Sequence, residues 1–147
     1  MKTRRNLIAL IFGLVFSLPV FAQQAEDLGQ HLVHYNTMNT SMLSPEVASA
    51  YGIQRSGTRG LLNIAVLKKE ADGLNTPVTA RVSATATNLA GQRRELDMQE
   101  IRDQDAIYYI ATFRFHNEEQ LNFRVNVQPE GQGRMSEFSF RQQFYVD

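Results

Sequence analysis

The sequence predicts an all-β fold: one antiparallel, immunoglobulin-like β-sandwich of about seven strands, with a single short connector helix near 45–51. Three observations lead there. From Gly60 onward apolar side chains recur at every second residue, the period of a strand with one buried face. Turn-forming residues punctuate that stretch at short intervals. Nine of the 11 aromatic residues beyond position 22 lie between Tyr108 and Tyr145, so the last three strands supply most of the bulky core.

Residues 1–22 pose a different physical problem. Lys2, Arg4 and Arg5 form a cationic start, and Leu7–Leu18 is a 12-residue apolar run. That run is too short to cross a hydrocarbon core of ~30 Å at 1.5 Å per residue. Pro19 breaks the helix, and Val20-Phe21-Ala22 places small or β-branched residues at −3 and −1 of a cut after Ala22. This is the pattern of a secretory signal peptide on the general export route. The expected organisation is a signal peptide over 1–22 and one domain over 23–147, released into the periplasm without stable membrane insertion.

His31–Ser41 is rich in strand-forming types. Ser44-Pro45-Glu46 opens a helix with a hydroxyl cap, a proline at its first position and an acid at the positive end of its dipole. Tyr51-Gly52 closes it. Leu62, Ile64 and Val66 then share one face of a strand whose other face carries Leu61, Asn63, Ala65 and Leu67, which suits a central position. Asp72-Gly73 turns the chain. Val78, Ala80, Val82, Ala84 and Ala86 alternate with polar residues, and Ala90-Gly91 turns again. Arg93–Ile101 is a weaker strand. Ile107–Phe115, Leu121–Val127 and Phe138–Val146 complete the set.

Parity restricts how these strands pair. If 107–115 pairs with 121–127, both odd-inward, the loop around Asn117–Gln120 must have odd length or carry a bulge. Between 121–127 and 138–144 the inward parity changes. A four-residue loop, Glu130–Gly133, then pairs Val125 with Phe138, Phe123 with Phe140 and, on the outer side, Arg124 with Ser139.

Charge and composition exclude several classes of function. The 15 basic and 15 acidic residues balance, and removing the leader leaves 12 against 15. A mildly acidic domain is a poor partner for nucleic acid. The absence of cysteine excludes a disulfide scaffold, a thiol nucleophile and a lipid anchor at the cleavage point. No G-x-S-x-G elbow accompanies the three histidines, and His116 falls at a predicted hairpin tip, so the chain is not expected to be an enzyme. Asp103-x-Asp105 lacks the following glycine and distal carboxylate of a calcium loop. The acids from Glu95 to Asp105, beside Arg93, Arg94 and Arg102, read as solvated edge charges.

Two sets of residues remain as candidate sites. Arg114, His116, Arg124 and Arg141, with Asn126 and Tyr145, fall on predicted outer faces and suggest a cationic, amide-rich strip for an envelope protein or an anionic ligand. Asn36 and Asn39 offer amides in the first strand. The alternative is a small-ligand or copper carrier using His34, Met38 and Met42, whose imidazole and thioethers suit Cu(I). Spacings of four along one strand put successive Cβ atoms ~13 Å apart, however, so one flat strand cannot close them on an ion. Met38 and Met42 read more simply as core fillers. No cofactor is expected.

The run His34-Tyr35-Asn36, Asn39-Thr40-Ser41, Leu43, Pro45-Glu46-Val47-Ala48, Tyr51-Gly52-Ile53 and Arg59-Gly60-Leu61-Leu62-Asn63-Ile64-Ala65-Val66 resembles a family of small exported gammaproteobacterial proteins known as a domain of unknown function. The resemblance spans most of the chain beyond the leader. It implies a periplasmic setting and one compact domain, and it brings no catalytic residue or ligand with it. The expected role is therefore a non-enzymatic binding or accessory module of the cell envelope.

Overall fold

In the computed structural model residues 24–147 are described, and the signal peptide expected over 1–22 lies outside them. Ten strands build two antiparallel sheets: β1 (Gln24–Asp27), β2 (His31–Asn39), β3 (Arg59–Lys69), β4 (Asn75–Pro77), β5 (Ala80–Asn88), β6 (Arg93–Leu96), β7 (Gln99–Asp103), β8 (Ala106–Arg114), β9 (Glu119–Pro129) and β10 (Ser136–Phe144). The first sheet runs β1-β2-β3-β8-β7, with β4 also on β3; the second runs β10-β9-β5-β6. The immunoglobulin-like sandwich is thus present with more strands than seven. β1 and β4 are short polar strands without an apolar period. The expected strand at 93–101 is cut in two at Asp97-Met98 and changes sheet there.

The inward faces follow the alternation. Val33, Leu62, Ile64, Val66, Ala84, Ala86, Phe113, Phe123, Val125 and Val127 are buried in one core between the sheets. Phe123 stacks on Phe140 at 5.0 Å between ring centroids and meets Phe113 edge-on at 5.3 Å, geometries that aromatic quadrupoles favour. Tyr35 of β2 packs on Phe138 and Phe140 of β10, joining the sheets on that side. β3 is central, flanked by β2 and β8.

The register of β9 with β10 is Val125–Phe138, Arg124–Ser139 and Phe123–Phe140, as parity dictates. The ladder stops at Val127 and Ser136, so the connection is longer than the four residues expected. The other parity argument does not apply. β8 and β9 lie in different sheets, and the 115–118 turn carries the chain across the sandwich rather than closing a hairpin.

The helix α1 (Pro45–Tyr51) has the ends its sequence specifies. Ser44 accepts from the Val47 N–H at 3.2 Å, and Gly52 sits at φ 66°. With seven residues it is stable only by packing. Ala48 and the following Ile53 join Leu61 and Ile110 in a small second core on the outer face of the first sheet. That cover shields only part of the face.

Candidate functional site: a basic cleft at the β6 edge

Two turns built for rigidity frame the cleft. In the β5–β6 turn Gly91 takes φ 80°, and Asn88 and Gln92 exchange backbone and side-chain hydrogen bonds between 2.8 and 3.1 Å. Such a doubled closure leaves the loop little freedom. The β8–β9 turn is held as firmly. Phe115 N–H donates to the Thr58 carbonyl at 3.1 Å and Glu119 N–H to the His116 carbonyl at 3.0 Å. Asn117 Oδ1 accepts from Val146 N–H at 3.0 Å, and Gln143 Nε2 donates to the carbonyl of Glu118, which is left-handed at φ 61°.

Between these turns opens a cavity of about 540 Å³ lined by Asn88, Gln92, Arg93, Arg94, Arg114, His116 and Glu119. The lining thus carries three arginines and a histidine against one carboxylate residue. Arg94 is the committed member: its Nη1 donates to the Arg114 carbonyl at 2.7 Å, and its Nη2 lies 3.9 Å from Glu119. Arg93 and Arg114 form none of the ion pairs found among the described residues. Planar guanidinium forks match the bidentate geometry of carboxylate, phosphate and sulfate oxygens.

The outer face of the second sheet continues the site. Register places Arg141, Asn122, Thr87 and Arg93 in one row across all four strands. Ser139, Arg124, Thr85 and Glu95 form the next. Arg124 pairs with Glu137 at 3.4 Å on an exposed surface, where such pairs are worth little.

The cationic residues singled out from the sequence therefore divide. Arg124 and Arg141 share the second sheet, as does Asn126. Arg114 belongs to the first sheet and His116 to the turn beyond it, so the four are not one strip. What joins the two groups is Arg93, which ends the Arg141 row and also lines the cleft. From the sequence alone Arg93 and Arg94 read only as ion-pair neighbours of the solvated acids that follow them. The signal that could have found them is the pair of arginines directly after the Asn88–Gly91 turn, placed by that turn opposite the end of another strand.

The amides of the first strand part company too. Asn36 lies opposite Asn63 on the outer face of the first sheet. Asn39 instead donates its Nδ2 to the Tyr145 carbonyl at 2.9 Å, while Ser41 bonds the Asp147 carboxylate. Hydrogen bonding to the carboxylate by the Ser41 hydroxyl, and after it by the Asn39 side chain, holds Asp147 below its ordinary pKa. Asn39 is thus a strap for the C-terminal residues. His34, Met38 and Met42 are not brought together. His34 and Met38 sit four residues apart on β2, with Met38 packed on the second core, and the strand ends at Asn39. Met42 falls in a 3₁₀ turn (Thr40–Met42) and is 66% exposed, so it is no core filler.

Residues 25–147 match the model of a family described as a domain of unknown function, DUF4426. The crystal structure of a DUF4426 family protein from Pseudomonas aeruginosa is 34% identical, with a TM-score of 0.74 over 84% of this chain and 95% of that one. FetP of uropathogenic Escherichia coli strain F11, recombinantly expressed in the E. coli periplasm, is 12% identical with a TM-score of 0.59 over 84% of this chain and 93% of its own. A copper-bound variant of FetP gives the same identity and TM-score over 85% and 96%. At that identity the likeness is one of fold. No curated protein matches.

Proposed function

The chain belongs to the DUF4426 family, and because that membership brings no activity with it, we propose from the residues themselves a non-enzymatic binding module of the periplasm that takes an anionic ligand. The observation that carries this reading is the convergence of Arg93, Arg94, Arg114 and His116 on one cavity against the single carboxylate of Glu119. The two framing turns are already held by hydrogen bonds, which confines the ordering cost of binding to the side chains. The seven lining residues include no hydroxyl nucleophile for His116 to activate, which favours binding over acyl transfer. Export is supported by the leader pattern and by a family match that starts three residues past the expected cut. Among the described residues no helix is long and apolar enough to cross a membrane.

Inorganic phosphate and a sulfated oligosaccharide are the probes. Each should raise the melting temperature in proportion to the logarithm of its concentration. Salt should weaken the effect, and Arg93→Glu with Arg114→Glu should abolish it. A melting temperature indifferent to both probes would end the proposal.

A copper carrier is the second reading, favoured by a shared fold with FetP, of which a copper-bound variant exists. Here His34, Met38 and Met42 are spread over a strand, a second core and an exposed turn. Among the described residues no three His, Asp or Glu side chains cluster as metal ligands. Cu(I) titration is expected to leave the melting temperature unchanged; stabilisation by one equivalent would reinstate the carrier.

A further inference from the structure

The edges of the two sheets are not equally protected. β1, β6 and β7 close theirs with four or five residues each, and short edge strands discourage pairing with another chain. β10 differs. Its nine residues, Ser136–Phe144, pair in unbroken register with β9 and include no proline, lysine or bulge. Among the described residues no strand pairs with its other side. The even-numbered residues, Phe138, Phe140, Gln142 and Phe144, carry no charge that would repel a second strand.

The backbone groups left open on that side follow from the ladder. Glu130 N–H donates to the Thr79 carbonyl at 2.9 Å, whereas Ala80 N–H, next along, turns away from β9 to the Tyr109 hydroxyl. Antiparallel pairs alternate in this way, so even-numbered residues of β9 bond β5 and odd-numbered ones bond β10. Through the register Val125–Phe138, the even-numbered residues of β10 spend their backbone groups on β9. Those of Glu137, Ser139 and Arg141 point into the open edge.

We propose that this edge pairs antiparallel with the same edge of a second copy of the chain, about a two-fold axis at Ser139. In that register Glu137 meets Arg141 of the second copy, twice by symmetry, and the open donors and acceptors of 137, 139 and 141 satisfy one another. Axes at Glu137 or Arg141 would oppose like charges, which is destabilising. Axes at Phe138 or Phe140 lose the opposed charges. The chosen register also brings the half-buried Phe140 beside Phe138 of the second copy, an aromatic cross-strand pair. Each copy has one such edge, so the assembly closes as a dimer and leaves no long edge for further addition.

The test is sedimentation equilibrium over a wide concentration range, with amide hydrogen exchange read by NMR. A monomer–dimer equilibrium is expected. The amides of Glu137, Ser139 and Arg141 should gain protection as the dimer fills, while those of Phe138 and Phe140 are protected throughout. Glu137→Arg or Arg141→Glu alone should lose the dimer; both side chains are exposed, so the fold is kept. An equimolar mixture of the two variants should recover it, because two cations on one copy then face two anions on the other. A protein monomeric at every concentration overturns the proposal and leaves the edge to a strand of another protein. So does a dimer that the single variants leave intact, or a mixture that fails to recover it.

Discussion

The hydroxyl of Tyr109, on β8 of one sheet, accepts the backbone N–H of Ala80, on β5 of the other, at 2.8 Å, and donates to Glu100 on β7 at 2.9 Å. A single side chain thereby spans the sandwich and satisfies a backbone donor at the start of β5. Burial, with the Glu100 carboxylate as a lesser contributor, pushes the phenol above its ordinary pKa.

Tyr109→Phe should therefore destabilise the domain by about 1–3 kcal/mol, because it strands the Ala80 donor without a partner. Urea denaturation at neutral pH measures it. In the parent protein the folded state keeps the phenolic proton longer than the unfolded state does. That contribution is full below pH ~10 and is lost as pH rises through the folded pKa. The variant should lack this alkaline decline.

Gly60 pairs directly with Phe113, whose ring lies across the glycine, and a β-carbon there would overlap two ring carbons. Gly60→Ala should cost about 1–3 kcal/mol through overpacking. Gly60→Ala combined with Phe113→Leu should cost less than the sum of the two single changes, since the added methyl then occupies space the ring has vacated. Melting temperatures of the four proteins decide it.

His31 is only 4% exposed and faces the core, with Lys68 opposite on β3. Burial first and the Lys68 charge second hold its pKa below the ordinary value of 6.5. The folded state then binds fewer protons than the unfolded one, so the stability is present above about pH 6.5 and declines as pH falls toward the folded pKa. His31→Gln should flatten denaturation midpoints between pH 7 and 5. An unchanged slope would show that His31 is not the group responsible.

Glu119 is the one carboxylate of the basic cleft. Glu119→Gln should tighten phosphate binding and steepen its salt dependence, as calorimetry at two ionic strengths would show. The stability cost should stay below about 1 kcal/mol, because the pair with Arg94 is long, at 3.9 Å, and its arginine is exposed.

Strand parity made much of the fold legible. Val125–Phe138 and Phe123–Phe140 could be paired from numbers alone, because an odd-inward and an even-inward strand fit one register class. The helix at 45–51 was legible from Ser44, Pro45 and Gly52, each of which has a local conformational reason. Sheet membership was not. Alternation reports which face a residue uses, not whether consecutive strands pair or cross, so it does not register that β8 and β9 lie in different sheets. The candidate site suffered from the same gap. Arg114 was separated from Arg124 and Arg141 by that crossing, and Arg93 gained its place only through contacts distant in sequence.

The stretch from Arg93 to Asp103 borders both sheets on one side, its first half hemming the second sheet and its second half the first. Prying that side apart must peel two ladders together, whereas β1, four mostly polar residues paired only with β2, can fray alone. A protease should therefore nick β1 during small native-state fluctuations. It should cut between Leu96 and Gln99 only when the whole domain comes undone.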